Sequence, residues 1–240
     1  MNRHTIGYTR IVFGAVMALT FATASEASKL YDSNWLALQS RVASLLEQGK
    51  AEEAVKAAEK ALSVTQDTFG ERHENVASAL DLLGMAYRSA GKFTEAKLNL
   101  TQALEMRQAL LGDDHPDVSI SLNHLAAVYQ DQNAYNQVEP LLSRALQIDE
   151  KNFGTSHSEV AEDLSNLAAI YHLQAKYDLA ERFYLQALET WKAAAGPDDP
   201  EVGILLEDYA YLLTTMGREQ EAHTLQQQSQ QILRKANLIQ

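Results

Sequence analysis

The 240-residue sequence contains no cysteine. That excludes disulfides, cysteine-ligated zinc, iron–sulfur clusters, thiol catalysis and a lipid-modified N-terminal cysteine. Proline and glycine are scarce, at 4 and 11 residues, and β-branched residues form no alternating runs. Basic residues are outnumbered 20 to 32, for a formal net charge of −12. With no basic stripe to offset that total, the sequence argues against a nucleic-acid partner. Long hydrophobic runs are missing too. The longest, Ile11 to Ala22, falls well short of the ~20 residues that span a bilayer. What is abundant is Ala, Leu, Glu and Gln, a helix-forming vocabulary, in a chain that is 46% hydrophobic.

The N-terminus has the order of a secretory signal. Arg3 and Arg10 come before any acid, the short apolar run follows, and Ala22-Thr23-Ala24 supplies small residues at the two inspected positions. The expectation is a signal peptide over 1–24, cleaved after Ala24, and export to the periplasm or beyond. No membrane association is expected after cleavage; an uncleaved anchor is the alternative. Residues 25–34 read as a short lead.

From there the chain repeats. Gly70, Gly112, Gly154 and Gly196 keep one step, Val76, Val118, Val160 and Val202 keep the same one, and Leu38, Leu80, Leu122, Leu164 and Leu206 do likewise. Ala61, Ala103, Ala145 and Ala187 are each followed by Leu. Five units result, at about 35–76, 77–118, 119–160, 161–202 and 203–240. Each reads as two helices. In the third, Leu122, Leu125, Ala126 and Tyr129 lie on one helical face, and Val138, Leu142, Ala145 and Leu146 on a second. Asn133 breaks the pattern between them, as Gly49, Gly91 and Gly217 do elsewhere. Phe153-Gly154 ends the second helix, with Gly expected in the left-handed cap conformation. Asp199-Pro200 and Asp113-Asp114-His115-Pro116 offer capping oxygens before a proline at the helix start.

Helical periodicity excludes propeller blades of similar length, and the spacing excludes HEAT units. Leu80, Leu83-Gly84, Tyr87, Gly91, Ala96, Leu100 and Ala103 fall on the tetratricopeptide (TPR) spacing, with Gly84 and Ala96 letting the two helices cross closely. The run ALEMRQALLGDDHPDVSISLNHLAAVY from Ala103 to Tyr129 resembles the 42-residue repeats of kinesin light chains and their bacterial relatives. The resemblance covers about 35–240. It implies an all-α fold, a right-handed α-solenoid of five helix-turn-helix TPR units with a concave groove. It also implies a non-catalytic scaffold or adaptor that holds a protein or extended peptide there. Arg41, Gln226 and Ser229 depart from the apolar pattern in the end units, as wettable caps of a solenoid do. A self-assembling module, using the Gln-rich last helix to pack on another copy, is the alternative function.

By that resemblance the first helix of each unit lines the groove, and its asparagines grip peptide backbone. The second Asn of the family's Leu-Asn-Asn-Leu-Ala run falls on Asn166, with His124 and Asp208 among its equivalents; the first is kept as Asn123. One turn further come Arg88, Gln130 and His172. An amide both donates and accepts, which suits an extended backbone. Glu47, Asp81, Asp131, Glu162, Glu207 and Asp208 are the acids of this face, with Arg88 opposing them, and favour a neutral or basic segment. The plainer reading is that these are solvated side chains on an acidic surface.

Catalytic, cofactor and metal sites are not expected. His73, His115 and His157 recur with the repeat as loop residues, and repeats stacked on the order of 10 Å apart cannot share one ion through ~2 Å bonds. Gly84 to Lys92 superficially resembles a phosphate loop but has the wrong spacing and follows no strand.

Overall fold

The computed structural model describes residues 26–239, with side chains from Trp35 onward. The expected signal segment 1–24 and its cleavage point lie outside the described residues. Among these residues the structure is ten α-helices and no strand. They fall into two compact units. The N-terminal unit, to Gln132, holds α1 (Glu26–Glu47), α2 (Ala51–Phe69), α3 (Glu74–Ser89), α4 (Phe93–Leu111) and α5 (Pro116–Asp131). The C-terminal unit, from Asn133, holds α6 (Tyr135–Phe153), α7 (Ser158–Leu173), α8 (Tyr177–Ala195), α9 (Pro200–Thr215) and α10 (Glu219–Lys235). The segment read as a lead is helical from Glu26, continuous with α1.

The 42-residue step is kept by the backbone. Helices α2, α4, α6, α8 and α10 start at Ala51, Phe93, Tyr135, Tyr177 and Glu219, and α3, α5, α7 and α9 at Glu74, Pro116, Ser158 and Pro200. The former are 19 residues long, except for α10, and the latter 16. This length takes up the eight residues beyond the usual 34 of a TPR unit. Within each unit every helix packs on its sequence neighbour, and α1 touches α3, α3 touches α5, and α7 touches α9. No helix among the described residues is long and apolar enough to cross a membrane.

The recurring histidines start the helices. His73, His115 and His157 sit in extended backbone as N-caps. Each Nδ1 accepts from the backbone N–H two residues on: Asn75 at 3.1 Å, Asp117 at 3.2 Å and Glu159 at 3.3 Å. Asp199 does the same through its carboxylate, 2.9 Å from the Glu201 N–H. The oxygens of Asp113 and Asp114 do not cap α5; the imidazole directly before Pro116 takes that place. Phe69 and Phe153 stack on His73 and His157 at 4.4 and 4.5 Å, which holds those rings over the helix start.

The glycines that end the long helices are not left-handed caps. Gly154, for example, has φ 79° and ψ 164°, an extended conformation with positive φ that is essentially open to glycine alone. It turns the chain in four residues towards the next N-cap. In the shorter turns the left-handed residue is Gly49, Gly91 or Gly217, but also Asn133 and Ala175, at φ 55° and 57°.

The core follows the repeat columns. Val76, Val118, Val160 and Val202 are at most 1% exposed, and Ala61, Ala103, Ala145 and Ala187 are fully buried. A Cβ on Gly84 would lie 2.5 Å from Leu100 Cγ, so the close crossing of α3 and α4 requires glycine. Arg41 is exposed where Leu83, Leu125 and Leu167 are buried, and Gln226 is exposed as well. Ser229 is not a wettable cap residue: it is fully buried, because it fills the alanine column, where a hydroxyl is barely larger than a methyl.

Candidate functional site

In the N-terminal unit the expected site residues lie on α3 and α5, and they neutralise one another. Asp81 is buried, 4% exposed. Arg107, from α4, donates through Nη1 to the Asp81 carboxylate, to Ser121 Oγ at 2.6 Å and to the Asp117 carbonyl at 3.1 Å. Ser121 in turn donates to Asp81 at 3.3 Å, and His124 Nδ1 lies 3.6 Å from it. Burial alone pushes the Asp81 carboxyl up, but Arg107 and His124 outweigh it and hold it below the ordinary carboxylate range. The Asp81 carboxylate thus has a cation of the fold itself, Arg107, as its partner. Arg88 and Asp131 form a bidentate pair, Nε to Oδ2 at 2.6 Å and Nη2 to Oδ1 at 3.0 Å, so the two opposing charges expected on this face satisfy each other. His124 and Gln130 are buried, and Asn123 is half-buried.

Arg107 escaped the sequence reading. Its signal was an arginine extending the buried stripe of Leu100 and Ala103 by one further turn. It is buried at 5%, and a charge there needs a partner.

The C-terminal unit presents α7 and α9 differently. Asn166 is buried at 3%, and its amide nitrogen has no partner among the described residues. Glu207 is exposed and Asp208 half-buried. Glu162 is half-buried on α7, and burial pushes its carboxyl up to about 7, helped by Glu159, Glu201 and Asp149. The charges that add to this rise are all acids. His172 is buried at 8%, and burial lowers its proton affinity. Its ring lies 5.2 Å from that of Tyr211, which is 43% exposed. Tyr211 was also missed. It stands in a column otherwise filled by Met85, Ala127 and Ala169, and a large aromatic in that column was the available clue.

No group of three or more potential metal ligands converges among the described residues. The array instead offers a helix face rich in carboxylate and amide groups, on a backbone repeated without change. The tetratricopeptide repeat profile matches residues 35–109, 99–151 and 159–235.

The chain is a tetratricopeptide repeat protein.

No curated protein sequence matches it, but solved TPR structures do. The kinesin-light-chain-type TPR-like repeats from Podosopora anserina share 22% identity over 85% of this chain and 97% of theirs, with a TM-score of 0.68. BtubC (BKLC) from P. vanneervenii is 18% identical over 90% of this chain and 88% of its own, at 0.70. The Rap conjugation gene regulator of plasmid pLS20, solved with the Phr* peptide, is 15% identical over 93% of this chain and 60% of its own, at 0.69. At these identities the likeness concerns the fold. The TPR fold is typical of protein-binding scaffolds.

Proposed function

We propose that this TPR protein is a non-catalytic scaffold that binds a protein or extended peptide, neutral or basic in charge, through the faces of its first helices. It works in the cell envelope, after export and removal of residues 1–24. The observation that carries the binding reading is the α7–α9 face. There Glu162 and Glu207 stand on helices that touch, with no ion-pair partner among the described residues. Such a face favours a cationic segment by long-range attraction as well as by contact. The fold shared with a regulator solved around a peptide supports the same reading. Self-assembly through α10 has less support, because its exposed side is Gln226, Gln227, Gln230 and Gln231, polar rather than apolar.

Affinity capture from envelope extract tests it, comparing the wild type with Glu207→Lys, which reverses charge on α9. The captured partner should be lost from the variant, and its affinity for the wild type should fall as salt rises. Equal capture would place binding elsewhere on the chain. Intact-mass measurement should find the cellular protein starting at Ser25; a full-length species would refute cleavage.

A further inference from the structure

Carboxyls of three helices act on one point of the α7–α9 face. Glu162 is half-buried on α7 and makes no hydrogen bond or ion pair among the described residues. Glu159 from its own helix, Glu201 from α9 and Asp149 from α6 act on it through space, and α8, which also packs on α7, adds no charge to that set. Burial comes first among the causes that bring its carboxyl up to about 7, because a partly desolvated carboxylate beside other acids costs more than the neutral acid. At neutral pH Glu162 therefore keeps its proton about half of the time. One turn further on α7, at the spacing where side chains are neighbours, lies Asn166. It is 3% exposed, and its amide nitrogen meets no acceptor among the described residues. Buried amide donors are ordinarily satisfied, so the acceptor for this one comes from outside the chain. The same side of α7 thus holds an acid poised to lose a proton and a donor that awaits a carbonyl.

We propose that the α7–α9 face takes up a basic segment in exchange for a proton, which Glu162 releases as a cationic side chain of the segment pairs with its carboxylate. The O–H bond of the carboxyl breaks, the proton leaves to the solvent, and one positive charge replaces another at the site. A segment without a cation offers nothing to hold that carboxylate ionised beside Glu159, Glu201 and Asp149, and the proton stays. The free chain keeps the proton up to about pH 7, whereas a cation in contact draws the carboxyl back towards its ordinary range. Affinity therefore rises with pH up to the free value and levels off above it. The segment's own lysines and arginines stay charged throughout. The exchange rests on the reading that the first-helix faces bind an extended segment.

The test is calorimetric titration of the full chain with the capped peptide acetyl-Ser-Ala-Lys-Ala-Lys-Ala-Ser-amide and with its version carrying glutamine for both lysines. Affinity for the lysine peptide should rise about tenfold from pH 6 to pH 8. At pH 7 about half a proton should be released per peptide bound, read from the difference in heat between phosphate and Tris buffers. In Glu162→Gln, which keeps the shape and cannot ionise, both signatures should vanish and affinity should no longer depend on pH. Circular dichroism checks folding, and the proton count of the wild type carries the test if the variant unfolds. A preference for lysine over glutamine that is unchanged from pH 6 to pH 8 overturns the exchange alone. So does a pH dependence that survives Glu162→Gln, since it would belong to a histidine. Equal affinity for the two peptides at pH 8 overturns the exchange together with the reading on which it rests.

Discussion

The α3–α5 face and the α7–α9 face are built on the same repeat, yet they handle charge in opposite ways. On the first, Asp81 has Arg107 and Asp131 has Arg88. On the second, burial and the acids Glu159, Glu201 and Asp149 raise the Glu162 carboxyl. Part of the difference traces to one repeat column. Where α4 places Arg107, α6 places Asp149, one 42-residue step later, and both are buried. A repeat can thus hold its backbone constant while a single buried position reverses sign. On one side the buried charge is the cation that holds Asp81 ionised, and on the other it is an acid that helps to raise the Glu162 carboxyl.

The largest expected effect breaks the self-satisfied side. Arg107→Leu leaves Asp81 buried without its cation and should lower stability by about 3–5 kcal/mol, measured by chemical denaturation at pH 7. Adding Asp81→Leu should restore most of that loss, since a well-packed apolar pair often replaces a buried ion pair at little net change. If the double variant were as unstable as the single one, the network would not be the source of the effect.

The second test uses pH, and the two faces should respond with opposite sign. Asp81 has a folded pKa below its unfolded value. Its contribution is present at neutral pH and is lost only as pH falls below the ordinary carboxylate range. Glu162 has its folded pKa raised from 4.5 to about 7. The folded chain holds that proton longer than the unfolded chain, so stability is greatest below about pH 4.5 and declines as pH rises through 7. Glu162→Gln should therefore stabilise the protein by about 1–3 kcal/mol at pH 8 and change little at pH 4. A pH-independent effect would mean that Glu162 ionises as freely in the fold as out of it.

A smaller contrast lies in the turns. Gly91 in one unit and Ala175 in the other occupy the same turn position with positive φ. An L side chain there costs roughly 1 kcal/mol. Ala175→Gly should raise stability by about 0.5–1 kcal/mol and Gly91→Ala should lower it by a similar amount, read as opposite shifts in midpoint. The smallest effect concerns α5, where His115→Ala removes a cap and should cost about 0.5–1 kcal/mol, while His115→Asp, which copies Asp199 in the C-terminal unit, should restore it.

These contrasts also mark how far the sequence could be read. The columns of valine, leucine and alanine carry helix number, phase and core directly, because burial in a repeat recurs with the chain. The histidines were visible as repeat-locked, but their capping role was hidden. Asp113 and Asp114 stood beside His115 with oxygens of the usual capping kind, and only the backbone shows which residue is extended. Ala175 gave no sign of its left-handed turn, since alanine has no preference for one; the neighbouring helices impose it. The site was harder still. Asp81 and Arg107 lie on different helices, and sequence alone does not say which side chain reaches across. Tyr211 and His172 are joined in the same non-local way, which is why one was named from the family resemblance and the other overlooked.

Because each long helix begins 42 residues after the one before, cutting the chain at any point and splicing in a copy of the preceding 42 residues rejoins every helix in register, with no new loop to invent. Unequal recombination within the coding sequence can therefore lengthen or shorten such an array by whole helix pairs without passing through a misfolded intermediate length. The position now occupied by Arg107 or Asp149 then becomes the place where a fresh copy can diverge.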